Sequence, residues 1–174
     1  VPVISHETGQ FQVYPNYLEI EKYTGVLYPY NMEIFRHRLA QAGMLSQADD
    51  FFHASGKWAV ELYKADIEMS LRTPGFAGFQ LLDLQDYPGQ GSAYVGILDA
   101  FMDSKGLVTP ERWRGFCSET VPLMIADKFC WSSDEPFRVD VKIAHYAPCS
   151  LKDKRLVWEL KNGKGDFVDH GSML

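Results

Sequence analysis

Val1-Pro2-Val3-Ile4-Ser5-His6-Glu7-Thr8-Gly9-Gln10 is the stretch on which the fold turns. Its first five residues form a continuous apolar run rich in β-branched side chains, with no polar alternation. That pattern predicts a strand buried on both faces, as in parallel sheets. The run ends in His6, Glu7, Thr8, Gly9 and Gln10, which places polar groups at the strand's C-terminal end. Residues 11–30 are rich in Tyr, Pro and Gly and predict a long ordered loop, a kind of segment that usually carries function.

Outward from that strand the pattern becomes helical. Asn31 is a suitable N-cap for a helix through Met32, Ile34, Phe35 and Leu39, closed by Gly43. Ser46-x-x-Asp49 resembles a capping box that opens a second helix. From Lys57 to Arg72, Trp58, Leu62, Ala65 and Met69 line one flank and Val60, Tyr63, Ile67 and Leu71 another, so the helix is expected to pack on two sides. Thr73-Pro74-Gly75 stops it. Phe76-Ala77-Gly78-Phe79-Gln80-Leu81-Leu82-Asp83-Leu84 then predicts a second buried strand, again with polar residues (Asp83, Gln85, Asp86) at its C-terminal end. Strand, loop, helices, strand is the alternation of a parallel sheet or barrel.

After Pro110 the texture changes. Glu111 to Thr120 predicts a short helix, and Pro122 to Asp134 a linker. Phe137, Val139, Val141 and Ile143 alternate with polar or small residues, as do Leu156, Trp158 and Leu160, and Asn162-Gly163 supplies a hairpin turn. These are the marks of an antiparallel β domain. Two or three strands do not close a sandwich of about seven.

The bulk properties narrow the function. The chain has 174 residues, 46% hydrophobic and 14% aromatic, enough for a real core. A net charge of −6 argues against a nucleic-acid partner, which calls for clustered Lys and Arg. No apolar run is long enough for a membrane span, and Val1–Gln10 has neither the basic start nor the apolar stretch of a signal peptide. Cys117, Cys130 and Cys149 are odd in number and lack a C-x-x-C spacing, which fits idle thiols better than a disulfide framework or a metal site. Nothing in the sequence calls for a cofactor or a metal.

Glu7 is the leading chemical candidate, because a carboxylate at the C-terminal end of a parallel strand stands where barrel enzymes keep catalytic groups. His6-Glu7 begins like a metalloprotease H-E-x-x-H, but position 10 is Gln10 and the motif fails. Phe11, Tyr14, Tyr17, Tyr23, Tyr28 and Tyr30 are candidates for stacking on a ligand ring or for packing the loop. Asp83 and Asp86 are candidates for holding hydroxyl groups or for capping the end of the second strand. His37, His53 and His145 read as structural, and Cys117 has no neighbouring His to make it a nucleophile. The loop Gly89-Gln90-Gly91 lacks the Lys-Ser/Thr pair of a phosphate cradle.

Taken in order, these segments resemble glycoside hydrolase family 2, the β-galactosidase, β-glucuronidase and β-mannosidase group. Val3-Ile4-Ser5-His6-Glu7-Thr8-Gly9 is similar to that family's seventh-strand motif, and Gly78-Phe79-Gln80-Leu81-Leu82-Asp83 to its eighth. Gly106-Leu107-Val108-Thr109-Pro110 resembles the segment before its last barrel helix, and the strands from Phe137 the start of its immunoglobulin-like domain. The resemblance implies an α/β fold: the last two strands and helices of a TIM (β/α)8 barrel over 1–125, then a linker and the first strands of an incomplete immunoglobulin-like β-sandwich over 126–174. It implies a retaining exo-β-glycosidase acting on a carbohydrate substrate by double displacement, with Glu7 as nucleophile, His6 orienting it, and Asp83, Asp86, Tyr14 and Gln80 contacting sugar. It also implies export from the cytoplasm. The family's acid/base lies in an Asn-Glu pair, which occurs nowhere in this sequence. Many members carry a Trp where this chain has Gln80-Leu81-Leu82, so sugar specificity does not transfer. A non-catalytic glycan-binding or scaffold relative and an unrelated barrel enzyme remain alternatives. Exposed strand edges in such a chain imply self-association.

Overall fold

The computed structural model describes residues 1–88, 90 and 93–173; Gly89, Gly91, Ser92 and Leu174 lie outside it, and with them most of the glycine-rich loop weighed above as a phosphate cradle. Among the described residues the order is β1 (Val3–Thr8), a 3-10 turn (Tyr17–Lys22), α1 (Tyr30–Gln41), a second 3-10 turn (Leu45–Gln47), α2 (Ala48–Arg72), β2 (Phe76–Leu81), α3 (Pro110–Arg114), β3 (Thr120–Ile125), β4 (Asp140–His145), β5 (Leu156–Lys161) and β6 (Phe167–Met173).

The strands form three separate two-stranded sheets: β1–β2 parallel, β3–β4 antiparallel and β5–β6 antiparallel. This corrects the expected architecture. Among the described residues the strands close neither a TIM (β/α)8 barrel nor an immunoglobulin-like sandwich. No further described strand pairs with β1 or β2, and no two sheets join into one. The interior is filled instead by α2 and irregular chain: Phe52, Ala59, Val60, Tyr63 and Ile67 of the helix pack with Val13, Ile97, Leu107 and Phe116. The run Val1–Ser5 is likewise not buried on both faces, since Val3 and Ile4 are 51% and 59% exposed. Its apolar, β-branched character reflects preference for extended backbone rather than depth.

Helix α2 is one continuous 25-residue element, longer than the Lys57–Arg72 pattern suggested. Asp49 and Asp50 in its first turn and Arg72 in its last complement the helix dipole. The Ser46 capping box does not form: Ser46 lies in the 3-10 turn, and Gln47 caps the helix without a side-chain hydrogen bond. Only the Val60, Tyr63, Ile67 flank is buried; Trp58 and Met69 on the other flank are exposed. Two-sided packing is therefore not realised. Gly56 lets Leu107 approach the helix, since a Cβ there would overlap the Leu107 side chain. Helix α1 starts one residue before the expected cap, and Asn31 turns inward to donate to the Tyr94 hydroxyl.

Thr120–Ile125, read as helix end and linker, is strand β3, paired from Thr120↔His145 to Ile125↔Asp140. Val121 and Leu123 alternate inward with Ala144 against Leu71 of α2, so this sheet straddles the expected boundary at residue 125. The expected hairpin is present. Asn162 accepts the backbone N–H groups of Lys164 and Asp166 and joins β5 to β6. No helix among the described residues is long and apolar enough to cross a membrane.

Candidate active site

The two strands that carry the candidate residues are neighbours and run in the same direction. Ser5 pairs with Phe79 and Thr8 with Leu81, so three steps along β1 match two along β2. The extra residue makes a bulge at His6–Glu7. Glu7 adopts a left-handed backbone (φ 55°), a conformation costing a non-glycine residue about 1–3 kcal/mol. Bulges bend a strand and re-aim its side chains, often beside active sites. The Glu7 carboxylate is accordingly turned outward and is 53% exposed.

Three polar neighbours meet there. His6 Nδ1 and Gln80 Oε1 lie 2.7 Å apart, linking β1 to β2 by side chains. His6 Nε2 stands 3.7 Å from Glu7 Oε1, and Gln10 Nε2 donates to Glu7 Oε2 at 3.2 Å. Ser5 and Thr8 hydroxyls share a hydrogen bond of 2.9 Å on the same strand. His6, Glu7 and Gln80 are thus brought together. Gln10 joins them, a role the sequence did not signal because Gln10 stood out only as the residue that spoils H-E-x-x-H.

Beneath this group Tyr63 ties the strand ends to α2. Its hydroxyl donates to the carbonyls of Val95 (2.6 Å) and Asp83 (3.0 Å). Its ring meets Phe11 and Trp113 edge-on. Gly9, two residues after Glu7, has φ 85°, and a Cβ there would fall within the Tyr63 ring. Burial holds the Tyr63 phenol far above its ordinary value, with Asp86 and Asp83 adding to the effect. Asp83 is half-buried and lies just past β2; the Leu82–Asp83 peptide is cis.

Asp86 and Tyr14 belong elsewhere. Asp86 is buried in an ion pair with Lys105 at 2.7 Å and accepts the Gly96 N–H, so its oxygens are engaged within the chain. Burial pushes its carboxyl up by more than Lys105 and Gly96 pull it down. Tyr14 bonds the Tyr17 hydroxyl at 3.0 Å, takes Ser55 Oγ on its backbone N–H and packs on Phe51. None of these contacts reaches Glu7. Tyr23 packs edge-on against Phe101, and Tyr28 against Tyr30.

The remaining candidates sit as follows. His145 bridges Thr120 and the Cys149 carbonyl, His53 stands 3.5 Å from Asp49, and His37 is exposed on α1. All three cysteines are free thiols, and burial pushes that of Cys117 up. No group of three or more His, Cys, Asp or Glu side chains among the described residues could hold a metal ion. Compared with family models and with curated proteins, the chain matches none.

Proposed function

We propose that this chain is the nucleophile-bearing part of a retaining exo-β-glycosidase of the family 2 kind, with Glu7 attacking the anomeric carbon. The observation that carries the reading is the bulge: it holds Glu7 in a left-handed backbone at the C-terminal end of a parallel strand and turns its carboxylate outward. A strained non-glycine conformation persists where its surroundings over-determine it, and such residues cluster at active sites. Gln10 fixes one carboxylate oxygen and leaves the other for attack, while the His6–Gln80 bond fixes the flank.

The chemistry runs in two displacements. The Glu7 carboxylate attacks the anomeric carbon and forms a glycosyl ester as a general acid protonates the departing oxygen; water then attacks the same anomeric carbon as that group takes its proton, and the Glu7 carboxylate is released. The two carboxyl groups of a retaining pair stand about 5–5.5 Å apart. This chain offers no Asn-Glu pair for the second one, so the reading assigns the acid/base to a segment beyond these 174 residues. Gln80 and Asp83, beside Glu7 and at the end of β2, are assigned to sugar hydroxyls.

A 2-fluoro glycosyl fluoride tests this in the protein that carries the chain, because it esterifies the nucleophile and leaves a labelled peptide. The label is expected on Glu7. A label on any other carboxylate overturns the assignment, and sugar binding without any label marks a non-catalytic glycan-binding relative. Glu7→Gly with azide is expected to give a glycosyl azide of inverted configuration. The isolated 174-residue chain is expected to show no turnover of aryl β-glycosides, since a missing general acid alone removes about 10²–10⁴-fold.

A further inference from the structure

Glu19 is buried and takes no part in the group around Glu7. It lies in the 3-10 turn Tyr17–Lys22, is 3% exposed, and neither of its carboxylate oxygens has a hydrogen-bond partner among the described residues. It faces a crowd of charges. Lys105, Asp86 and Asp99 come from the loop that follows β2, and Lys22 from its own turn; the phenols of Tyr23 and Tyr94 feel its charge in return. The two lysines are already committed, Lys105 to Asp86 and Lys22 to Asp99 and Asp103. Three buried carboxylates therefore share two cations, and the cluster is one positive charge short. No set of ligating side chains among the described residues could hold a metal ion. A proton is the simplest remaining charge.

The turn is held from outside at its two ends, with Tyr17 bonded to the Tyr14 hydroxyl at one and Lys22 paired with Asp99 and Asp103 at the other. Asn16 caps it, and Tyr23 packs on Phe101. Beyond it, Val26 and Leu27 are exposed along a cleft of about 260 Å³ that Pro88 and Phe101 also line. We propose that Glu19 is a proton-operated latch: protonated, it seats the Tyr17–Lys22 turn against the Asp86–Lys105 and Asp99 pairs, and ionised, it drives the turn off them. Burying a neutral carboxyl without a partner costs a few kcal/mol, whereas an unpaired buried carboxylate costs far more. The latch acts on the long segment that leaves Glu7, and it stands whether or not Glu7 attacks a sugar.

The sign follows from linkage. Burial, opposed by Lys105 and reinforced by Asp86 and Asp99, raises Glu19 from 4.5 to about 7 in the closed state. A released, solvated Glu19 ionises near 4.5, so the closed state binds more protons between these values and loses ground as pH rises through the window. The opening equilibrium of the turn is expected to increase by about 300-fold in all from well below pH 4.5 to well above pH 7, about 80-fold of it between those two values, and to level off above about pH 8.

Hydrogen exchange of the 174-residue chain, corrected for intrinsic rates and read at the amides of Glu19, Tyr23 and Thr24, measures that equilibrium directly. The expected result is the rise and plateau in the native chain, a flat profile in Glu19→Gln, and the native profile in Glu21→Gln, which alters an exposed neighbour. A flat native profile, or the same rise in Glu19→Gln, overturns the latch. If Glu19→Gln does not fold, the carboxyl ¹³C shift of Glu19 in the native chain decides: a midpoint near 7 supports the latch and one near 4.5 overturns it. Protection restored at pH 8 by millimolar calcium also overturns it, by giving the missing charge to a cation.

Discussion

Among the described residues, nine mutually packed buried ones from Val13 to Phe116 gather around helix α2, whereas β3 to β6 gather three, Val121, Leu123 and Ala144. Both regions contain strands paired through their backbones, so the presence of such pairing does not distinguish them. What differs is the partner. Helix α2 crosses back over β1 and β2 and traps loop residues such as Ile97 and Leu107 beneath it. The β5–β6 hairpin instead leaves Val157, Leu160, Phe167 and Val168 exposed. Regular backbone pairing thus orders a segment, and only burial against something else stabilises it appreciably.

The comparison breaks most readily at Tyr63. Tyr63→Ala removes the largest fully buried side chain together with its two carbonyl contacts, and is expected to cost about 3–5 kcal/mol. Chemical denaturation followed by tryptophan fluorescence checks this; a cost under about 1 kcal/mol would mean that α2 does not organise the first region. Lys105→Ala comes next, at about 3 kcal/mol or somewhat more, because it leaves Asp86 and Glu19 buried without their shared cation. Its loss should shrink on acidification as those carboxyls take up protons.

Lys22→Ala is expected to cost less, about 1–2 kcal/mol, since Asp99 keeps the N–H groups of Phe101 and Asp103. Burial pushes Asp99 up, but Lys22 and those two N–H groups outweigh it, and the carboxyl sits below its ordinary value. That stabilisation is present above the unfolded value of 3.8 and is lost as pH falls through the lowered one. Lys22→Ala should flatten this acid limb in a pH series of melting curves. At the small end, Val157→Thr on the exposed face of β5 should stay within about 0.5 kcal/mol. A larger effect would show that another surface covers the hairpin in solution. Sedimentation bears on the same point: the exposed apolar residues of β1, α2 and β5–β6 lead us to expect association above a 19.8 kDa monomer.

Much of the local structure was legible from residue order. The 3.6 periodicity of Val60, Tyr63 and Ile67 gave α2, and Asn162-Gly163 gave the β5–β6 turn. Strand β3 was not legible because Pro122 sits inside it, and proline lowers strand expectation although an edge position accommodates it. The architecture is not legible for a different reason. An apolar run such as Val1–Ser5 reports backbone preference, while its burial depends on neighbours that no local pattern names. The candidate site divides along the same line. Glu7 and His6 stand out by strand-end position and Gln80 by the family resemblance, and the three do meet; Gln10 lies three residues from Glu7 but in no motif that marks it, and Lys105 acts across a gap in sequence that carries no periodic signal. Asp86 looked like a rim carboxylate, and only its pairing with Lys105, nineteen residues on, shows it to be interior.

The parallel pairing of β1 with β2 has a consequence for how the molecule comes together in time. His6 and Gln80 are 74 residues apart, whereas Asn162 and Asp166, which close the β5–β6 turn, are four apart. A hairpin of that kind zips within microseconds, and long-range parallel pairing is intrinsically slow because loop closure precedes its reward. Helix α2, all local contacts, shortens that search by turning 25 of the intervening residues into a rod of roughly 37 Å. The weakest-packed part of the chain is therefore expected to form first, and the bulge that aims Glu7 among the last.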